Sequence, residues 1–128
     1  MADSKFASRV FILAGVYGLL VLPPFYFLEE RIGRDTPPPI THPEYYYGFL
    51  GVTIAWQIAF VMIGRNPVRY RPLMLVAVFE KVSYGVVALP MYVLGRIGGG
   101  PLMGGIIDLG LAVLFILAFQ RTSSPASP

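Results

Sequence analysis

Three ionisable side chains, Glu80, Lys81 and Asp108, stand inside long apolar runs of the sequence. On insertion scales an Asp, Lys or Arg at the centre of a bilayer helix costs about 2.5–3.5 kcal/mol, so such groups face a bundle interior or a water-filled cavity. With the usual helical rise, Glu80 lies about 12 Å from the near end of its run, and Gln57 and Tyr17 reach about the same depth in two other runs. Ser83 and Tyr84 follow Glu80 at i+3 and i+4, on the same helix face. Three chemistries suit this layer. One is a proton-relay or cation site centred on Glu80, with Tyr17, Gln57 and Lys81 as neighbours. Another is an interhelical hydrogen-bond fastener worth about 0.6–2 kcal/mol per bond. The third is acid–base work on a lipid or quinone by Glu80, Lys81, Tyr84 and Asp108.

Glu80 and Lys81 are adjacent, so on a helix they point about 100° apart and each needs its own partner. Asp108 falls about 9 Å from the end of the last run, leaving a vertical gap of about 7 Å to Lys81. A flexible lysine spans that gap and would pin the third helix to the fourth. Alternatively, Lys81 snorkels back toward the nearer surface, the way its helix tilts it. Elsewhere the chain is poor in chemistry. His42, the only histidine, sits beside Glu44 in a proline-rich loop without further clustered ligands, which suits a solvated residue better than a metal site. The stretch GGGPLMGG lacks the lysine and hydroxyl residue of a phosphate loop. With no cysteine, disulfides, thiolate metal sites, c-type haem attachment and thiol nucleophiles are excluded. No pattern designates a catalytic residue, a cofactor or a metal.

The elements that must position these side chains follow from the distribution of charge. Residues of hydrophobic type make up 55% of the chain and charged ones only 13%, more apolar surface than a water-soluble domain of this length can hide. A hydrocarbon core takes about 20 helical residues to cross. Four runs meet that length, at about 8–28, 45–63, 72–95 and 101–120. Their apolar character is unbroken rather than alternating, which favours helices over barrel strands. The expected fold is all-α: an integral membrane four-helix bundle in one domain over residues 1–121, followed by a disordered tail at 122–128. The first run follows Lys5 and Arg9 like a signal peptide, but its length, Pro23 and Pro24, and the lack of a small-residue cleavage site mark a retained anchor.

Lys5, Arg9, Arg65, Arg69, Arg71 and Arg121 gather on one side of the four runs, against Arg31, Arg34 and Arg96 on the other. The positive-inside rule then puts both termini and the loop 64–71 in the cytoplasm. These positions also account for the net charge of +3, so the basic balance signals topology and no nucleic-acid partner. Between Glu29 and Glu44 the prolines of TPPPITHPE predict an extended, stiff strap, and Tyr45, Tyr46 and Tyr47 fit an interfacial aromatic belt. Pro23, Pro24, Pro90 and the glycines near residue 100 predict a looser outer half, readable as an outward cavity above the Glu80 layer. The plainer reading, which the pattern favours, is close packing through Gly100 and Gly104, with Gly51, Ala55 and Ala59 as a second small-residue stripe.

The segments RVFILAGVYGLL, ERIGRDTPPPITHPEYYYGFLG and AWQIAFVMIGRNPVRYRPLM with the following EK resemble a family of small uncharacterised bacterial membrane proteins. The likeness spans most of residues 9–121, and in size and layout the chain also resembles the broader DoxX-like group. The resemblance implies a four-helix fold in a bacterial inner membrane and brings no activity with it. The leading expectation is a structural or accessory subunit, acting as a homo-oligomer or with a membrane-protein partner in the lipid bilayer. A small proton, cation or solute transporter centred on Glu80 is the alternative, and an intramembrane enzyme the third.

Overall fold

The computed structural model describes residues 4–123. Within them lie five α-helices and no strand: α1 (Ser4–Val21), α2 (Glu29–Asp35), α3 (Pro43–Arg65), α4 (Arg71–Val93) and α5 (Gly99–Arg121). Four helical stretches are long and apolar enough to cross a membrane, the first being α1 extended by a 3-10 turn, Pro23–Phe27. Pro23 and Pro24 explain that break: a proline lacks the N–H and disfavours α geometry in the residue before it. Pro43 and Pro72, by contrast, stand in the first turns of α3 and α4, where the missing donor costs nothing. Pro90 lies inside α4 without ending it, and the helix runs on to Val93.

The extended strap predicted between Glu29 and Glu44 is only half right, because Glu29–Asp35 forms α2. Its prolines begin two residues after α2, at Pro37. The preceding EERIGRD puts acidic residues in the first turn and Arg34 in the last, complementing the helix dipole. Arg31 and Asp35 add an i,i+4 pair at 3.5 Å. The tyrosines expected as an aromatic belt also make contacts within the bundle. Tyr46 donates a hydrogen bond to the Phe25 carbonyl and Tyr47 stacks on Tyr26, so these two fasten α3 to the 3-10 turn. Only Tyr45 is broadly exposed.

The bundle has an uneven layout. α1 packs along α3, α4 along α5, and α1 also meets α5, whereas α3 and α4 touch sparingly although a short turn joins them. Small residues allow the close pairs. A Cβ on Gly15 would stand 2.6 Å from the Gln57 carbonyl oxygen, and one on Gly85 would stand 2.9 Å from the Gly105 carbonyl oxygen. Gly64 likewise faces the α1 backbone at Ile12. The glycines expected to do this work do not: a Cβ on Gly100 meets nothing within 4 Å, Gly51 has only the Tyr26 hydroxyl near it, and Ala55 is exposed. Large apolar side chains such as Leu13, Leu20, Val93 and Met103 point outward. That inverted pattern suits helices whose surroundings are as apolar as their contacts.

On the side carrying the termini, the interior is filled by an aromatic cluster. Phe11 stacks on Phe115 at 4.2 Å between centroids, and Phe60 meets Phe115 edge-on at 5.1 Å. All three rings are fully buried. Below them Arg71 caps α5: its Nε donates to the carbonyls of Phe119 (3.2 Å) and Thr122 (2.6 Å), and its guanidinium covers the Phe119 ring. Thr122 itself is buried and its hydroxyl donates to the Ala118 carbonyl. Thr122, expected in a disordered tail, is instead held against α5, and residues 124–128 of that expected tail lie outside the described residues.

Candidate functional site

Above the phenylalanine cluster the interior opens into a cavity of about 710 Å³ bounded by α1, the 3-10 turn, α3, α4 and α5. It exists because α1 carries α3 to one side and α5 carries α4 to the other, leaving space where α3 and α4 fail to close on each other. Tyr17, Gln57, Glu80, Lys81, Tyr84 and Asp108 all line it. Side chains read from four separate apolar runs thus share one wall system.

Lys81 is the hub. Only 5% exposed, it places Nζ 3.4 Å from Asp108 Oδ1 and 3.5 Å from Glu80 Oε2, and 5.2 Å from the centre of the Phe60 ring beneath it. The bridge to Asp108 ties α4 to α5 across the gap read from the sequence. The ion pair with Glu80 was not expected, since neighbouring helical residues diverge. The four-carbon stem of lysine is long enough to swing the ammonium back between both carboxylates. The snorkelling alternative is overturned, because Nζ sits within this cluster.

Two carboxylates share one ammonium, so with all three groups ionised the site carries a formal charge of −1. Glu80 Oε2 is the atom that reports the surplus: it is buried, has no hydrogen-bond partner, and meets Lys81 only at ion-pair separation. The remaining candidates do not relieve it. Gln57 is 3% exposed, but its Nε2 donates to the Thr53 carbonyl of its own helix at 3.0 Å. Ser83 donates back to the Glu80 backbone carbonyl. Tyr84 donates to the Pro101 carbonyl at 2.9 Å, a second α4–α5 tie, while Tyr17 is half exposed on the cavity wall.

The rest of the wall is apolar and aromatic, with Trp56, Phe79, Phe49 and Phe25 prominent. Sequence reasoning missed these residues, and periodicity offered no signal for them, since an aromatic residue on a membrane helix reads as lipid-facing. Phe49 and Val52 on α3, and Val76 and Phe79 on α4, line the cavity and yet are broadly exposed, Phe79 at 71%. They form the two lips of a lateral opening between α3 and α4. No group of three or more His, Cys, Asp or Glu side chains suited to a metal ion occurs among the described residues.

No protein-family model, curated protein or solved structure matches the chain.

Proposed function

We propose that the protein is a small multi-pass transporter of a bacterial inner membrane, with both termini cytoplasmic and Glu80 as the carboxylate that couples to its solute, proton or cation. The observation that carries this reading is the 710 Å³ cavity that gathers Glu80, Lys81 and Asp108 with Tyr17, Gln57 and Tyr84. A pure fastener between helices accounts for Lys81 and Asp108, which alone make a neutral bridge. It leaves Glu80 without a reason, because a further, largely buried carboxylate adds desolvation cost and like-charge repulsion to a pair already complete. A functional group held at such a cost is the ordinary mark of a solute or proton pathway.

The cavity sits on the side away from the termini and the buried phenylalanines close the other, an arrangement that suits a carrier sealed at one end. Flux of protons, sodium, potassium and the organic cation tetraethylammonium into liposomes under imposed gradients tests the reading. Flux is expected in the wild type and is expected to fall at least tenfold in Glu80→Gln. A wild-type protein that passes nothing under any of these gradients overturns it.

A structural or accessory subunit is the second reading, favoured by the unfilled space between α3 and α4 with its apolar lips. A partner helix or a second copy seated there would supply the missing side of the bundle. Native mass spectrometry from lipid separates the two: a stoichiometric protein partner supports the subunit, and a lone chain or oligomer with a bound small molecule supports the carrier.

A further inference from the structure

We infer that the cavity takes a hydrophobic organic cation, a molecule with one positive charge on an apolar body, and that it is drawn from the bilayer sideways between α3 and α4. This rests on reading the cavity as a solute site, and not on whether the solute is then moved across.

The sign of the charge follows from the triad. Lys81 lies within 3.5 Å of both carboxylates, and with all three ionised one negative charge is left over, at a place where Glu80 Oε2 is buried without a hydrogen bond. An occupant with a single positive charge would complete the balance, whereas an anionic headgroup would meet net repulsion. The shape of the charge follows from the walls. Trp56, Phe79 and Tyr84 line the same space, and aromatic faces attract a weakly hydrated cation within about 6 Å. A hard inorganic ion instead demands a shell of about six oxygens, which a wall that is mostly apolar and aromatic does not offer. The volume, about 710 Å³, lies within the range of about 300–1,000 Å³ usual for drug-sized ligands. The route follows from the exposed lips Phe49, Val52, Val76 and Phe79, which present an apolar portal at the surface that helices of this kind turn to lipid. An amphiphilic cation dissolved in the bilayer reaches that portal without crossing water.

The sole tryptophan of the chain is Trp56, in the cavity wall, so intrinsic fluorescence reads occupancy directly. The test titrates the full chain in dodecylmaltoside micelles with tetraphenylphosphonium and, separately, with tetraphenylborate, a pair alike in shape and opposite in charge. The expected result is saturable quenching by the phosphonium, at least tenfold weaker binding of the borate, and at least tenfold weaker phosphonium binding in Glu80→Gln. Equal affinity for both ions, no saturable phosphonium binding, or an unchanged Glu80→Gln overturns the inference. The comparison of the two ions uses the wild type alone, so it stands even if the variant does not fold. Phosphonium binding without flux in liposomes leaves the ligand class standing and removes the transporter. Flux without preference for the cation does the reverse.

Discussion

Replacing Lys81 with methionine removes the ammonium that Glu80 and Asp108 share and keeps an unbranched stem of four heavy atoms. Nζ stands 3.4 and 3.5 Å from the two carboxylate oxygens. At an effective dielectric constant of about 20, each contact represents about 5 kcal/mol of direct attraction. Desolvation of the ions offsets most of that, and proton uptake by the abandoned carboxylates limits the damage, so the net loss expected is about 3–5 kcal/mol, the usual result of breaking a buried pair. Glu80→Gln is expected to behave differently. It gives up one attraction but also removes a buried charge and its repulsion with Asp108, leaving Lys81 and Asp108 as a neutral bridge, so stability should change by no more than about 1 kcal/mol. Asp108→Asn severs the link between α4 and α5 while Lys81 keeps Glu80, and a loss of about 1–2 kcal/mol is expected. The assay is reversible unfolding in mixed dodecylmaltoside and dodecyl sulfate micelles, followed by far-UV circular dichroism. If Glu80→Gln costs as much as Lys81→Met, Glu80 is a structural member of the cluster and the argument from surplus charge is refuted.

Three further outcomes follow from the same structure. Arg71→Ala should destabilise the bundle by about 1.5–3 kcal/mol in that assay, because charge-assisted bonds to the Phe119 and Thr122 carbonyls are lost together; no change would show that water caps α5 equally well. Gly85→Ala should cost about 1–3 kcal/mol, since its Cβ would lie 2.9 Å from the Gly105 carbonyl oxygen, while Gly100→Ala should be neutral with nothing within 4 Å; equal effects would contradict the helix packing described above. The chain has no cysteine, so single substitutions Ser123→Cys and Glu30→Cys provide unique labels for a membrane-impermeant maleimide applied to intact cells. Glu30→Cys should label from outside and Ser123→Cys only after permeabilisation; the reverse pattern would invert the proposed orientation.

Much of the helical frame was legible because a bilayer imposes a length and a charge rule that composition obeys directly. Four apolar runs gave four helices, but the first was read as unbroken to residue 28, whereas α1 stops at Val21 and a 3-10 turn follows over Pro23–Phe27. The residues of the polar layer were legible for the same reason: Glu80, Lys81 and Asp108 are conspicuous where charge is costly. α2 was not legible, because the nearby prolines dominated the reading of a short segment whose own residues favour a helix. The glycines that matter were misassigned for a geometric reason. Spacing identifies small residues that share a face, but Gly85 and Gly100 differ only in whether a neighbouring helix lies against that face.

The sequence by itself determined the four long apolar helices and which side chains cannot be left to lipid, because both depend on transfer free energies that each residue carries with it. Only the tertiary structure decided who partners whom. The order in which α3, α1, α5 and α4 pack opens a cavity between the first and last of these and sets Trp56 and Phe79 on its wall. It also lets Lys81 reach two carboxylates at once. Helix pairing is set by the fit of small residues against a particular neighbour, and that fit belongs to two surfaces together rather than to either stretch of sequence.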